Sequence, residues 1–124
     1  MSKIFKIAEA RKVENPGISV TRWLVDKEVG ASNLSAVVYD YLPNFEQKRI
    51  HYHEKRESAY IILAGEAKIH LNGVIHTLGP ETCVFVKPGD IHAVVGAGKD
   101  GLKLLEIWSP TDKDIVYVGE EKKL

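Results

Sequence analysis

Short apolar runs rich in Val, Ile, Leu and Tyr recur along the whole chain and are cut by Gly, Pro, Asn and Asp. They predict strands over Ser19–Val25, Leu34–Leu42, Arg49–His53, Ala59–Leu63, Ala67–Leu71, Val74–Leu78, Cys83–Val86, His92–Val95, Leu102–Trp108 and Ile115–Val118. Turn residues separate almost every pair: Gly30, Pro43-Asn44, Gly65, Asn72-Gly73, Gly79-Pro80, Pro88-Gly89-Asp90, Gly96 to Gly101 and Pro110. Asn72-Gly73 is the sharpest of these, because both residues tolerate the positive φ that a two-residue type I′ hairpin demands. A strand and its turn repeat at roughly ten residues, the rhythm of an all-β sandwich or barrel. No βαβ alternation interrupts it. Over Lys3–Lys12, Ile4, Ile7 and Ala8 share one helical face, and the same residues also fit an edge strand.

A length of 124 residues is one ordinary domain with a core of its own. The chain divides into an N-terminal arm (1–17), a β domain (18–118) and a short charged tail (119–124). Charge is balanced, 17 Lys+Arg against 17 Asp+Glu, so the basic excess of a nucleic-acid binder is missing. Balanced charge also removes the repulsion between copies. With apolar Ile4, Phe5 and Ile7 near the N-terminus, that leads us to expect a homodimer. Cys83 is the single cysteine, so no intrachain disulfide forms; it opens an apolar run and reads as a small buried hydrophobe. The segment MSKIFKIAEARK lacks the apolar run of a signal peptide, and no stretch is long enough to span a membrane. These features predict a cytoplasmic protein without a membrane partner.

Candidate chemistry gathers in His51-Tyr52-His53-Glu54-Lys55-Arg56-Glu57 and in His92, which follows Pro88-Gly89-Asp90-Ile91. Two residues apart on a strand, His51 and His53 point to one face. A pair of imidazoles with a carboxylate close by suits a borderline divalent metal, and His92 could close the shell from another strand. The same residues would serve equally as solvated or hydrogen-bonded strand histidines, and the cluster alone leaves both readings open. His70 and His76, on either side of the Asn72-Gly73 hairpin, read as structural.

The order His51-x-His53, three residues, Glu57, then Gly65, followed by Pro88-Gly89-Asp90-Ile91-His92, resembles the two motifs of the cupin superfamily. The resemblance covers residues 18–118 and implies a single-domain, jelly-roll-type β-barrel. It implies one divalent transition metal per chain (Mn, Fe, Ni, Co or Zn), held by His51, His53, His92 and Glu57. Several positions depart from the motifs. Phe45 and Glu81 stand where glycines open the two motifs, Lys87 replaces a proline, and Gly96 replaces the closing asparagine. Seven residues, not six, separate Glu57 from Gly65, so a strict count from the glycine reaches Ser58. We expect Glu57 to be the ligand.

Leu102, Leu104, Glu106 and Trp108 alternate onto one side of a late strand, so Glu106 either faces out or lines the cavity. Inside, it would be the candidate catalytic acid or base. Tyr39, Tyr41, Tyr60 and Trp108 suit core packing or the mouth of the barrel. Lys48-Arg49 and Lys55-Arg56 flank the histidines and would either dock an anion or form a solvated face. The stretch from Gly89 to Pro110 is similar to the cupin domain of phosphomannose isomerases. That similarity implies a metal-dependent isomerase or epimerase acting on a small, oxygen-rich, anionic ligand such as a sugar phosphate. An iron- or manganese-dependent dioxygenase and a non-catalytic binding module are the alternatives.

Overall fold

The computed structural model describes residues 2–119, and nine antiparallel strands make up more than half of it. They are β1 (Arg11–Asn15), β2 (Ser19–Val25), β3 (Ser35–Tyr41), β4 (Ile50–Tyr52), β5 (Glu57–Leu71), β6 (Val74–Leu78), β7 (Thr82–Val86), β8 (His92–Ser109) and β9 (Val116–Val118). The expected all-β barrel is therefore present. Among the described residues no helix is long and apolar enough to cross a membrane.

Long strands β5 and β8 each join two of the expected strands into one. They pair with each other along most of their length and carry the sheet from one half of the barrel to the other. Residues Leu102–Ser109 of β8 lie between β3 and the first half of β5, whereas His92 pairs with both β4 and the end of β5. The glycines expected at turns are corners of this ribbon. Gly65 and Gly101 have φ of 81° and 84°, and a Cβ on Gly65 would stand 2.2 Å from the Gly101 carbonyl oxygen. The backbones approach so closely there that the strand bends without ending.

Alternation then decides what lies inside. Ser58, Tyr60 and Ile62 of β5 are buried, as are Leu102, Leu104, Glu106 and Trp108 of β8. Ile62, Ile69, Leu104 and Val86 form the dry centre, with Tyr39, Tyr41 and Phe45 packed against it. On β7 the inward positions are Thr82, Val84 and Val86, so Cys83 is exposed and the expectation of a buried thiol is corrected.

Over Lys3–Lys12, where a helix and an edge strand both fit the sequence, no α-helix forms. A single 3₁₀ turn (Ile7–Glu9) leads into β1, which pairs along all of its length with β2. So short a segment gains little as an isolated helix, whereas the free edge of β2 offers a complete ladder. Arg22 Nη1 secures the turn by donating to the carbonyls of Ala8 and Ala10, both at 3.1 Å. The sheet thus starts at Arg11, inside the segment expected to be an arm. The charged tail beyond Gly119 lies outside the described residues.

Candidate metal centre

His51 on β4 and His92 on β8 are direct cross-strand partners, and His53 follows two residues after His51 on the same side. The three rings lie 4.5 to 5.2 Å apart between centroids, and one nitrogen from each falls within 4.8 Å of the others. The Gly89 N–H donates to the His53 carbonyl at 2.8 Å, tying the Pro-Gly turn of the second motif to the first.

The outer nitrogens are held by backbone carbonyls. His92 Nδ1 contacts the Asp90 carbonyl at 2.9 Å, and His53 Nδ1 contacts the carbonyl of Asp114. A carbonyl only accepts, so in both rings Nδ1 carries the proton and Nε2 presents its lone pair. His92 Nε2 is buried with no partner. Burial, with the neighbouring rings second, pushes the His51 pKa down to about 3. Burial brings His92 to about 4 and also lowers His53. Three neutral imidazoles, His51 half-buried and the buried His53 and His92 oriented from behind, fit a divalent metal that prefers nitrogen ligands.

Beside them lies a cavity of about 230 Å³ lined by Tyr39, Tyr41, Tyr60, His51, His53 and Glu106, among others. The structure turns Glu106 inward, not outward. Only 5% of it is exposed, and Tyr39 Oη donates to its Oε1 at 3.1 Å. Burial raises its pKa to about 7, although Arg56 and the tyrosine hydroxyls pull the other way. The tyrosines both pack on the core and line the cavity. Arg56 also lines it, while Lys48 and Lys55 are exposed and Arg49 stacks on Tyr117 at 4.1 Å.

The cupin domain family matches residues 37–108, more than half of the chain. The chain belongs to the cupin family. It is 30% identical to the mannose-1-phosphate guanylyltransferase of Salmonella montevideo over 94% of its length, and it spans only 25% of that protein. Among solved structures it superposes on the polyketide cyclase RemF of Streptomyces resistomycificus with a TM-score of 0.78. That match has 23% identity and covers 98% of this chain and 90% of the other. Pac13, a nucleoside dehydratase, superposes with a TM-score of 0.70 at 15% identity, covering 95% and 92%. Similarity at these identities shows the shared fold.

In this cupin Glu57 does not join the histidines. It is exposed at the start of β5, opposite Ser109, and the histidine cluster forms without it. Ser58 takes the inward position, 3% exposed, as the strict count from Gly65 implied. A register shift does fall between Glu57 and Gly65, at Ile62/Ala64, but Glu57 to Ile62 pair regularly with β8, and along that stretch alternation turns Ser58, Tyr60 and Ile62 inward and leaves Glu57 exposed. His70 and His76 stand outside the cluster. They pair with Ile75 and Ile69, which places them on opposite faces of the hairpin.

Two residues brace the histidines in a role the sequence does not signal. Besides its carbonyl bond to His53, Asp114 accepts from the backbone N–H groups of Glu54, Lys55 and Arg56 at 3.0, 2.7 and 3.2 Å. Those bonds hold its carboxyl below the usual range. Asn72 is a turn residue, as its φ of 47° before Gly73 at 88° bears out. Its side chain also bonds Asp90 Oδ1 and the Ile91 N–H, fixing the loop that carries His92. Both contacts are long-range, so no local pattern announces them.

Proposed function

We propose that this cupin is a metal-dependent acid–base catalyst, an isomerase or epimerase, acting on a small oxygen-rich ligand such as a sugar or sugar phosphate. One observation carries the reading. A buried carboxylate with a pKa near 7, Glu106, shares a small cavity with His51 and His53 of the three-histidine cluster. His51, His53 and His92 would hold one divalent ion, which when bound would polarise a substrate carbonyl or hydroxyl oxygen. Glu106 is poised to take and return a proton, because its pKa lies close to neutral pH. Tyr39 keeps the carboxyl oriented through its hydrogen bond to Oε1. The tyrosine-lined cavity, about 230 Å³, would admit a small molecule in preference to a polymer.

The similarities support the same class of reaction. Cyclisation and dehydration, the activities named for RemF and Pac13, proceed by moving protons, and the guanylyltransferase is named for a sugar phosphate. The test is proton exchange. Metal-loaded protein should incorporate solvent deuterium next to the carbonyl of a hexose phosphate in an NMR panel, and Glu106→Gln should lose that exchange. Oxygen consumption with a phenolic or thiol substrate, without exchange, would favour the dioxygenase reading. Ligand binding with no turnover would favour a binding module. Exposed Ile4, Phe5 and Ile7 support a homodimer, and a monomer in sedimentation at tens of micromolar would refute that.

A further inference from the structure

Among the described residues, five buried side-chain atoms lack a hydrogen-bond partner, and three of them belong to one corner of the barrel: Arg56 Nε, Ser58 Oγ and Trp108 Nε1. Ser58 and Trp108 are direct cross-strand partners on β5 and β8, so both side chains leave the sheet on the same face. They are 3% and 6% exposed. The Arg56 guanidinium lies over the Trp108 ring, 4.8 Å from its centroid. A guanidinium and an indole N–H can only donate, and a serine hydroxyl can donate as well. The corner therefore holds three unmet donors.

Arg56 also makes no salt bridge among the described residues. A groove of about 460 Å³ passes this corner, lined by Arg56, Trp108, Ser35 and several charged residues. Of these, Arg11 pairs with Asp26 at 2.8 Å and with Glu28, and Lys27 pairs with Asp112 at 3.6 Å. The Arg56 guanidinium also lines the histidine cavity, with Nη1 3.5 Å from His53 Nε2. Arg56 stands where groove and cavity meet.

We propose that Arg56, Trp108 and Ser58 form an anion subsite for a carboxylate or phosphate group of the substrate. The rest of the substrate would reach past Arg56 towards the histidines and Glu106. This deepens the function proposed above, resting on it for the reaction and adding that the substrate carries its anionic group beside the reacting end. A fork-shaped cation with an indole donor suits an oxyanion, which can accept from both at once.

Chelator-treated, metal-free protein titrated with inorganic phosphate, and separately with acetate, at constant ionic strength tests the subsite by calorimetry and thermal shift. Saturable binding is expected in the wild type, and the tighter anion identifies the chemistry preferred. Arg56→Gln should weaken binding by roughly a hundredfold, and Trp108→Phe, which keeps a ring, by roughly tenfold. Arg56→Lys should fall between wild type and Arg56→Gln, and far-UV circular dichroism confirms that each variant is folded. Equal affinity in wild type and Arg56→Gln, or no saturable binding of either anion, would overturn the subsite. Metal content measured on the wild type and the same variants before chelation separates the two proposals. Arg56→Gln should keep its metal while losing the anion, whereas a wild type without metal that still binds the anion would refute only the metal reading.

Discussion

Replacing Glu106 by glutamine should make the protein more stable, and more so as the pH rises. Glu106 is 5% exposed, and its pKa is raised from the ordinary 4.5 to about 7, chiefly by burial. Between those values the folded chain binds a proton that the unfolded chain has released. Wild-type stability therefore falls as the pH climbs from about 4.5 through about 7. A tenfold difference in proton affinity is worth about 1.4 kcal/mol, so ionising Glu106 in place costs on the order of 3 kcal/mol at pH 8. Glutamine has nearly the same shape, still accepts from Tyr39 and never ionises. In metal-free protein the variant should match the wild type near pH 4 and exceed it by about 3 kcal/mol at pH 8. For a chain of this size that is roughly 10 °C in Tm. Urea unfolding of both proteins across this pH range is the assay. A stability difference that does not change with pH, or a wild type more stable at pH 8, would show that Glu106 is not buried as a high-pKa acid. The stability gained should coincide with loss of proton-exchange activity, the usual trade-off at a working site.

Four further outcomes are expected. His53→Ala should remove most of the bound metal, Glu57→Gln should leave it unchanged because that side chain is exposed, and elemental analysis decides both. Gly65→Ala should destabilise by several kcal/mol or prevent folding, since the new Cβ would meet the Gly101 backbone at 2.2 Å and φ is 81°; chemical denaturation measures it. Glu81→Gly should stabilise by about 0.5–1 kcal/mol, because Glu81 holds φ at 64° where glycine carries no penalty, and the same denaturation assay shows it. With Glu106→Gln as background, metal-free protein should lose stability as the pH falls from about 6.5 towards about 4. The depressed pKa values of His51 and His92 mean that the unfolded chain binds those protons first, and His51→Asn should flatten the slope.

Much of this molecule was legible in its sequence because strand alternation is a local property. The period-two patterns placed β2 and β6 at their observed limits and put Leu102, Leu104, Glu106 and Trp108 on one side. His51-x-His53 already stated a same-face pair, and the Pro-Gly turn placed His92 at the start of a strand. Which face turns inward is a different matter, since a strand with one charged residue in an apolar row fits either way. Only the packed barrel decided that Glu106 faces the cavity and that Ser58, not Glu57, takes the inward place. Tertiary pairing also overrode local preference at both kinds of breakpoint. Gly65 and Gly101 bend a continuous ribbon where local chemistry favours turns, and Arg11–Asn15 completes a sheet edge where the apolar spacing also fits a helix. The bracing of the histidines by Asp114 and Asn72, and the meeting of Arg56, Ser58 and Trp108, join residues far apart in the chain. Contacts of that kind exist only once the sheet has closed, because nothing in the intervening residues encodes their distance.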